Sequence, residues 1–323
     1  MTFIESETAA AITPPPKAKR PARSLRRKLE TGRFVVCVEV DPPRGPAIRR
    51  VIEAARRMVE LGADCVNVGD SPMAEVRMSA VMTAAMLKDR AGVEPIVHIS
   101  TRDRNLMALQ ADLMAAHAWG LRNILCIKGD QHALGSYNGA KAVWDINALD
   151  LMRILKGFNE GHDAIKKPIS PATRFHVGAA LNPSASDFAA ELKLAKNKIR
   201  AGADFFLSQA VFEAAPVERM LEALGPDHLP VVIGIWPVHS ARQAAFLNER
   251  ITQVPSWVCD AIDKAGNGAE QCGLELAQRL LEDLRPLVQG VYFVPSFGRF
   301  DGIGDLVAAA RQLADRGASH ARA

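Results

Sequence analysis

The stretch LGADCVNV, residues 61–68, joins the end of a helix to the start of a strand, and this junction decides the fold. The same arrangement returns in WGLRNILCI at 119–127 and in AGADFFLSQ at 201–209. Each junction has a glycine where a helix ends in the left-handed conformation, and a polar residue precedes the next apolar run. These glycines are Gly62, Gly120 and Gly202. One supersecondary unit is therefore reused along the chain.

Outward from these junctions, short β-branched and aromatic runs alternate with helix-length amphipathic segments. The predicted strands are 34–40, 64–69, 94–99, 122–128, 174–181, 204–211, 230–236 and 290–295. The segment 46–61 is a predicted helix because Ile48, Ile52 and Val59 share one face. Eight such units predict a single-domain α/β fold, the (β/α)8 TIM barrel. A doubly wound open sheet is the alternative, and the absence of GxGxxG after the first strand weakens it.

The basic charge is concentrated at the N-terminus. Residues 1–28 hold seven Lys and Arg against two Glu, a net +5, whereas the whole chain carries +4, so the remainder carries about −1. The Pro-rich, charged composition predicts a disordered tail over 1–24, followed by the barrel over 25–318. A contact of this tail with an anionic partner is a second interpretation. Because the folded part is not basic, we expect no nucleic-acid partner.

Targeting and cysteine signals point to a soluble cytoplasmic protein. No apolar run approaches the roughly 18 residues of a membrane span, and Glu5 and Glu7 argue against a presequence. The five cysteines form no CxxC pair, and three of them lie in predicted core strands. They are Cys37, Cys65, Cys126, Cys259 and Cys272. We expect reduced thiols, with neither a disulfide nor a metal site.

Polar residues lie at the carboxyl end of every predicted strand, where a barrel has its active face. They are Glu39, Asn67, Asp70, His98, Lys128, Asp130, Asn182, Gln209, His239 and Arg299. Glu39 interrupts the otherwise apolar run FVVCVEV at 34–40, and Asp41-Pro42-Pro43 ends that strand. The loops 131–146 and 157–173 are long, as loops that carry ligand contacts often are. A shared polar site explains the set better than polar residues scattered by chance near strand ends would.

Glu39 is the best candidate for a general acid, since burial raises the pKa of a carboxyl group. The alternative is a structural ion pair with Arg44 or Arg299. Asp130 has a second interpretation as a helix or turn cap, and Lys128 as a Schiff-base lysine. The chain has no HExxH, GxSxG or Walker A sequence. The site is thus suited to proton transfer and to binding a flat, hydrogen-bonding ligand.

These residues resemble the methylenetetrahydrofolate reductase family over about 25–315. The matching stretches are VEVDPPRG, EPIVHISTRDRN, RNILCIKGD, KIRAGADFFLSQAVF, VVIGIWPVHSARQ and GVYFVPSFGR. The forms STRDRN and PSFGR look most like the divergent branch found fused to homocysteine methyltransferases. The resemblance implies an oxidoreductase of one-carbon metabolism and methionine biosynthesis. It further implies a flavoprotein in which FAD takes hydride from NADH or NADPH and passes it to 5,10-methylenetetrahydrofolate, giving 5-methyltetrahydrofolate.

The resemblance also implies roles for individual residues. Glu39 takes the position of the acid that helps to open the folate ring, and Asp130 that of an acid contacting folate and flavin. The implied substrate contacts are Gln209, Gln243 and Arg299. The implied flavin contacts are Asp70, His98, Lys128, Gly129, Asn182, Ala185 and Lys198. No metal is implied, and a homo-oligomer is left open.

Departures from the family pattern cluster at the flavin positions. Gly69-Asp70 stands where Thr-Tyr is usual, and Gly178 and Asn182 stand where Tyr and His are usual. Lys128 and Asn197 each replace an Arg. Two alternatives therefore stay open: a pterin-binding methyl-transfer barrel, and a folate-binding subunit without redox activity. The choice between NADH and NADPH and the direction of the reaction also stay open.

Overall fold

The computed structural model describes residues 24–137, 139–296, 300 and 302–320, without the side chains of Ala133 and 316–320. The predicted tail lies outside the described residues except for Ser24, which caps the first helix by accepting a hydrogen bond from the backbone N of Arg27. Its predicted disorder stays a prediction. None of the described helices combines the length and the apolar character that a membrane crossing needs.

Eight parallel strands close into a barrel in sequence order, which confirms the predicted (β/α)8 TIM barrel. The strands are β1 Val35–Val40, β2 Cys65–Val68, β3 Glu94–Ser100, β4 Asn123–Ile127, β5 His176–Leu181, β6 Phe205–Val211, β7 Val231–Ile235 and β8 Gly290–Phe293. Each boundary lies within two residues of its prediction. The barrel closes where β8 pairs with β1, with Val35 opposite Gly290.

Helices surround the barrel. They are α1 Leu25–Glu30, α2 Arg49–Glu60, α3 Ala80–Ala91, α4 Leu106–Ala118, α5 Ala148–Asn159, α6 Phe188–Arg200, α7 Ala215–Leu224, α8 Ala241–Arg250, α9 Ser256–Ala265, α10 Ala269–Leu284 and α11 Ile303–His320. The three junction glycines all have positive φ, at 110°, 79° and 101°, as the sequence predicts. Helix α2 begins three residues later than predicted. In the loop before it, the Pro43 carbonyl accepts a hydrogen bond from Met78 N.

Two layers of apolar side chains form the core. The larger layer fills the space between the strands and the helices, and includes Val36, Val38 and Ile124. The smaller layer fills the barrel lumen with the strand residues that lie between those of the first layer and point the other way, such as Val35, Cys37 and Tyr292. Because strand side chains alternate between faces, this lumen set identifies which residues further along each strand point inward.

Three expectations need correction. Segment 157–173 follows α5 and leads into β5, so it lies mainly at the amino-terminal end of the barrel, away from the active face. Between β7 and β8 the chain forms three helices, where a simple repeat has one. Cys37 and Cys65, expected to be reduced, form a disulfide with a Cα–Cα distance of 4.9 Å. They are opposite each other in register on adjacent strands and both face the lumen, a proximity that sequence spacing does not reveal.

Candidate active site

The carboxyl ends of the strands form the mouth of the barrel, and the inward alternation places Glu39, Asn67, His98 and Gln209 there. Glu39 on β1 is opposite Asn67 on β2 in register. Gln209 is the exposed position of β6, whose other residues are buried. In a closed barrel these side chains share one cavity opening. The structure therefore brings together four residues that the sequence placed on separate strand ends.

Glu39 holds its carboxyl group in a water-poor position. Burial, followed by repulsion from Asp41, raises the pKa of Glu39 to about 8. Among the described residues, no hydrogen bond reaches this carboxyl group. The alternative ion pair with Arg44 does not form, because the Arg44 guanidinium lies 3.3 Å from Glu75. Arg299 lies outside the described residues. A carboxyl with this pKa is protonated at neutral pH and can donate a proton.

Asp41 is a site residue that the sequence reasoning missed, having been read only as the end of the strand. It lies two positions after Glu39 and so continues the same inward alternation. Its Oδ1 atom is buried without a hydrogen-bond partner. Burial raises the pKa of Asp41, and the positive charge of Arg77 partly opposes this. The alternation itself was the signal that could have identified it.

Asn67 and His98 also present unpartnered polar atoms. Both amide atoms of Asn67 are buried without a partner, and so is Nε2 of His98. Burial lowers the pKa of His98 to about 4, so the imidazole is neutral at pH 7. Buried polar groups in folded proteins are nearly always hydrogen-bonded. Unpartnered amide and imidazole atoms at one mouth therefore offer hydrogen bonds to a bound molecule.

The segment Lys128-Gly129-Asp130 follows β4 and borders the mouth. The ammonium of Lys128 lies 5.2 Å from the ring centroid of Trp144, an aromatic residue that sequence reasoning also overlooked. Gly129 has φ +86°, and a Cβ there would lie 2.3 Å from Ser100 Oγ. The exposed Asp130 accepts a hydrogen bond of 2.6 Å from Met73 N through Oδ2. Asp130 thus joins two active-face loops.

Arg102 fixes these loops from beneath, although no feature of STRDRN singles it out. It is the largest of the fully buried side chains. Its guanidinium donates to the Asp130 carbonyl at 3.0 Å and to the Ser71 carbonyl at 3.3 Å. It also forms a bidentate pair with Asp103 at 2.8 and 2.7 Å. Arg102 therefore positions the loops that follow β2, β3 and β4.

Three of the predicted flavin contacts are held by neighbours within the protein. Asp70 accepts from Ser100 N at 2.8 Å and pairs with Arg104. The buried Lys198 ammonium donates to the Ala180 carbonyl at 2.7 Å and lies 3.5 Å from Glu191. Its pKa is lowered by burial, which the charge of Glu191 partly opposes.

The third is Asn182, whose backbone N donates to Glu191 Oε1 at 3.1 Å. Ala185, a further predicted contact, donates its N to the Asn182 carbonyl at 3.2 Å. The roles of all these residues toward a flavin stay predictions.

The predicted substrate contacts differ in their surroundings. Gln209 is free to reach a ligand from the mouth, whereas Gln243 is buried. The Gln243 amide accepts from His239 N at 2.7 Å and donates to Ser296 Oγ at 2.5 Å. Gln243 thus ties α8 to the loops after β7 and β8. Arg299 cannot be placed, because it lies outside the described residues.

The donor set at the mouth matches a flat heterocycle better than a metal. No cluster of three metal-ligating side chains occurs in the described parts of the chain. The unpartnered atoms of Asn67 and His98 fit the hydrogen-bonding edge of a ring system, and Trp144 offers an aromatic face. Lys128 is available for a phosphate, since none of the described carboxylates pairs with it. These residues fit the ring and one phosphate of a flavin.

Comparison with known proteins assigns the family. The methylenetetrahydrofolate reductase family model matches residues 24–295. A Caenorhabditis elegans protein described as a probable methylenetetrahydrofolate reductase (NADPH) is 25% identical over 279 residues, covering 80% of this chain and 40% of that protein. A 5,10-methylenetetrahydrofolate reductase of Escherichia coli is 26% identical over 246 residues, covering 74% of this chain and 77% of the other. The nematode relative is thus much longer than its matched region.

Among solved structures, oxaloacetate acetylhydrolase superposes with a TM-score of 0.50 at 13% identity, over 88% of this chain and 83% of that one. A likeness at this identity concerns the fold alone. The family model, by contrast, covers most of the chain, including the strands that carry Glu39, His98 and Gln209. The chain belongs to the methylenetetrahydrofolate reductase family.

Proposed function

We propose that this protein is a methylenetetrahydrofolate reductase, which uses NADH or NADPH to reduce 5,10-methylenetetrahydrofolate to 5-methyltetrahydrofolate, or catalyses the reverse reaction. The observation that carries the proposal is Glu39, an inward-facing carboxyl at the barrel mouth with a pKa raised to about 8. Family membership supplies the substrate class. The barrel over 25–318 is the proposed catalytic domain.

Glu39 acts as the general acid in this proposal. Its protonated carboxyl donates to one nitrogen of the five-membered folate ring, and the bond between that nitrogen and the bridging carbon breaks. The bridging carbon is then left as an electrophilic iminium on the other nitrogen, ready to accept hydride. The low-dielectric position keeps the proton on Glu39 until the substrate arrives. Asp41 adds negative charge nearby and so helps to hold that proton. This pairing resembles other sites in which two carboxyl groups share a raised pKa.

The remaining mouth residues bind and orient in this proposal. Gln209 hydrogen-bonds the folate and, in alternation, the nicotinamide. Asp130 contacts folate from the loop that Arg102 holds in place. Gln243 contributes indirectly through His239 and Ser296, because both ends of its amide are occupied. Such positioning is effective because small displacements of a reacting group have large kinetic effects.

FAD is the proposed cofactor, held by Asn67, His98, Lys128 and Trp144, with the backbone of Gly129 close by. When bound, it supplies a hydride carrier between nicotinamide and folate. The neutral imidazole of His98 can donate or accept a hydrogen bond at its free Nε2 atom. The lack of a Cβ at Gly129 keeps this loop close to Ser100.

A second candidate is a pterin-binding barrel without electron transfer, and a specific observation favours it. Asp70, Asn182 and Lys198 are predicted flavin contacts, yet neighbours already engage their side chains. Arg104 pairs with Asp70, Glu191 pairs with Lys198, and Asn182 Oδ1 accepts from Ser184 N at 3.2 Å. In particular, Glu191 neutralises the buried cation of Lys198. In this candidate, Glu39 protonates a bound methyltetrahydrofolate for methyl transfer.

One experiment separates the two candidates. The purified protein is first scanned for flavin absorbance, and then NADH or NADPH oxidation is followed with and without methylenetetrahydrofolate and added FAD. The reductase gives folate-dependent oxidation and 5-methyltetrahydrofolate as product. A protein that binds methyltetrahydrofolate but transfers no electrons to flavin, dye or folate contradicts the reductase and supports the pterin-binding barrel.

A further inference from the structure

Strand β6 contains a β-bulge just before the mouth of the barrel. Its pairing with β7 shifts by one residue between Leu207 and Ala210, so that Ser208 and Gln209 stand against a single residue of β7. The other strand pairs keep one register along their described lengths. Bulges are rare between parallel strands, and they re-aim the side chains that they carry. Gln209 is exposed, whereas every other residue of β6 is buried, so the bulge lies where the strand presents its one exposed side chain.

Ser208 supplies hydrogen bonds that a regular ladder would otherwise supply. Its hydroxyl accepts from Gly234 N at 3.0 Å and donates to the Gln209 carbonyl at 2.6 Å. One buried side chain thus ties the bulge to β7 and to its own backbone. Buried backbone groups are nearly always hydrogen-bonded, and a bulge disrupts the ladder that would bond them. The Ser208 hydroxyl therefore stabilises the shifted register.

Tyr292 on β8 holds the bulge from inside the lumen. Its buried hydroxyl donates to the Ser208 carbonyl at 2.6 Å. Strand β7 lies between β6 and β8, and its Gly234 leaves room for the tyrosine ring. A Cβ at Gly234 would lie 2.6 Å from Cζ of Tyr292 and 2.7 Å from its hydroxyl oxygen. Ser208, Gly234 and Tyr292 thus form one connected group, which we call the bulge lock.

The hydroxyl of Tyr292 keeps its proton at every pH at which the protein works. Burial, followed by the negative charge that Glu39 carries when ionised, raises the pKa of Tyr292 well above its usual value. The direction of the bond to Ser208 is therefore fixed, with Tyr292 as the donor. Tyr292 is opposite Cys37 in register, two residues before Glu39 on β1. The bulge lock thus extends from beside the proposed acid to the strand that carries Gln209.

We propose that Tyr292 and Ser208 are positioning residues, which hold the bulge of β6 so that the amide of Gln209 meets the substrate. This inference rests on the proposed function, in which Gln209 binds folate and nicotinamide in alternation. Both hydroxyls are engaged within the protein, so they act through Gln209 and not on the substrate itself. If Tyr292 only filled the lumen, phenylalanine would serve equally well, because it has the same ring.

The first test measures folate turnover in Tyr292→Phe, which removes the hydroxyl and keeps the ring. The kcat is expected to fall about ten-fold, because small displacements of a binding group have large kinetic effects. Ser208→Ala, which takes the partner from Gly234 N, is expected to lower kcat by a similar factor. The matched control is Thr173→Val, which removes a buried hydroxyl that donates to Asn159 Oδ1 at 2.7 Å at the amino-terminal end of the barrel. It should leave kcat within about two-fold, since it lies far from Gln209.

A double-mutant cycle tests whether the effect passes through Gln209. In the background of Gln209→Ala there is no amide to position, so adding Tyr292→Phe should change kcat by less than about two-fold. A general structural loss would instead carry over in full, since independent effects add. Equal falls in kcat in the two backgrounds overturn the inference, and so does a Tyr292→Phe variant with the kcat of the wild type. Circular dichroism melting shows that each variant is folded.

The second test needs no folate. Hydrogen exchange at Gly234 N, followed by NMR, reports the opening of the bulge, and Tyr292→Phe is expected to speed it about five-fold through the loss of one hydrogen bond. Thr173→Val should leave this rate unchanged. A wild type that neither binds nor turns over folate contradicts the proposed function, and the exchange rate then decides on the bulge lock alone. An unchanged exchange rate at Gly234 N in Tyr292→Phe overturns the bulge lock.

Discussion

The two ends of the barrel lumen contain the same kinds of polar side chain, but these are hydrogen-bonded at one end and lack partners at the other. At the amino-terminal end, Glu94 accepts from Asn123 Nδ2 at 2.9 Å and from Leu25 N at 2.8 Å. His176 Nδ1 lies 3.1 Å from Asn123 Oδ1 and completes the chain. At the carboxyl-terminal end, Asn67, His98 and Asp41 keep buried polar atoms that no neighbour satisfies.

The difference shows which polar residues serve the fold and which await a ligand. An unsatisfied buried polar group costs about 1–3 kcal/mol, and such groups persist where function requires them. In the amino-terminal network, which α1 closes from below, Glu94, Asn123 and His176 are bonded to their neighbours. The mouth offers an amide, a neutral imidazole and a protonated carboxyl. The comparison predicts that changes at the bottom alter stability and that changes at the top alter activity.

The largest expected effect is on turnover in Glu39→Gln. The amide keeps the shape but cannot donate a proton as an acid does, so folate turnover should fall by about 10²–10⁴-fold. Reduction of the flavin by NAD(P)H should be retained. The matched control is Glu94→Gln, a carboxyl-to-amide change at the opposite end of the lumen, which should leave turnover within about two-fold. Steady-state and stopped-flow kinetics separate the two half-reactions. Wild-type folate turnover in Glu39→Gln would contradict the assignment of the acid.

A pH dependence of smaller size follows from the same residue. With its pKa raised to about 8, Glu39 loses its proton above that pH, and turnover should fall up to ten-fold per pH unit. The free energy of unfolding should also fall as the pH rises. The folded pKa exceeds the unfolded value of 4.5, so the stabilisation is complete below about pH 4.5 and is lost as pH rises toward about 8.

Urea unfolding across this range should show the loss in wild type and a shallower slope in Glu39→Gln, with Asp41 adding in the same direction. A wild-type free energy of unfolding that rises steadily between pH 5 and 8 would contradict the expected loss of stability with rising pH.

Much of the fold could be read from the sequence because it repeats. Glycine at a helix end and an apolar run after it are local signals, and both persist in the structure at Gly62, Gly120 and Gly202. Position at the carboxyl end of a strand also selected Glu39, His98 and Gln209, which the structure turns inward. What repetition cannot reveal is an exception, such as the three helices between β7 and β8. The disulfide likewise depends on strand register, which spacing along the chain does not give.

The site was less predictable, because partners decide what a polar residue does. Lys198 and Asp70 fit a ligand role by sequence position, yet Glu191 and Arg104 already engage them. Arg102 organises three loops, but it is one of two arginines in STRDRNLM and nothing local sets it apart. The alternation of strand residues could have identified Asp41 as inward-facing, but the two prolines after it marked this position only as the end of the strand. Tertiary contacts, not composition, separated these cases.

A moderate effect is expected at the bottom of the lumen in Asn123→Ala. The substitution removes the bonds to Glu94 Oε1 and to the Pro95 carbonyl, and leaves His176 without its partner. The free energy of unfolding should fall by about 1–3 kcal/mol, with turnover near wild type. Thermal and urea unfolding measure the first and kinetics the second. An unchanged stability would mean that this network does not hold the bottom of the barrel.

The smallest effect on stability is expected in Asn67→Ala, the matched change at the mouth. Asn67 is as fully buried as Asn123, but both of its amide atoms lack a partner, so truncation removes no bond from the ligand-free protein. The free energy of unfolding should change by about 0.5 kcal/mol or less, because relief of the unsatisfied amide offsets the lost packing. Binding of flavin or folate, measured by titration, should weaken by about five-fold or more, since one hydrogen bond is lost. Asn67→Ala could instead destabilise the free protein as much as Asn123→Ala and leave binding unchanged. The two ends of the lumen would then be alike, and the assignment of the mouth as the binding site would be wrong.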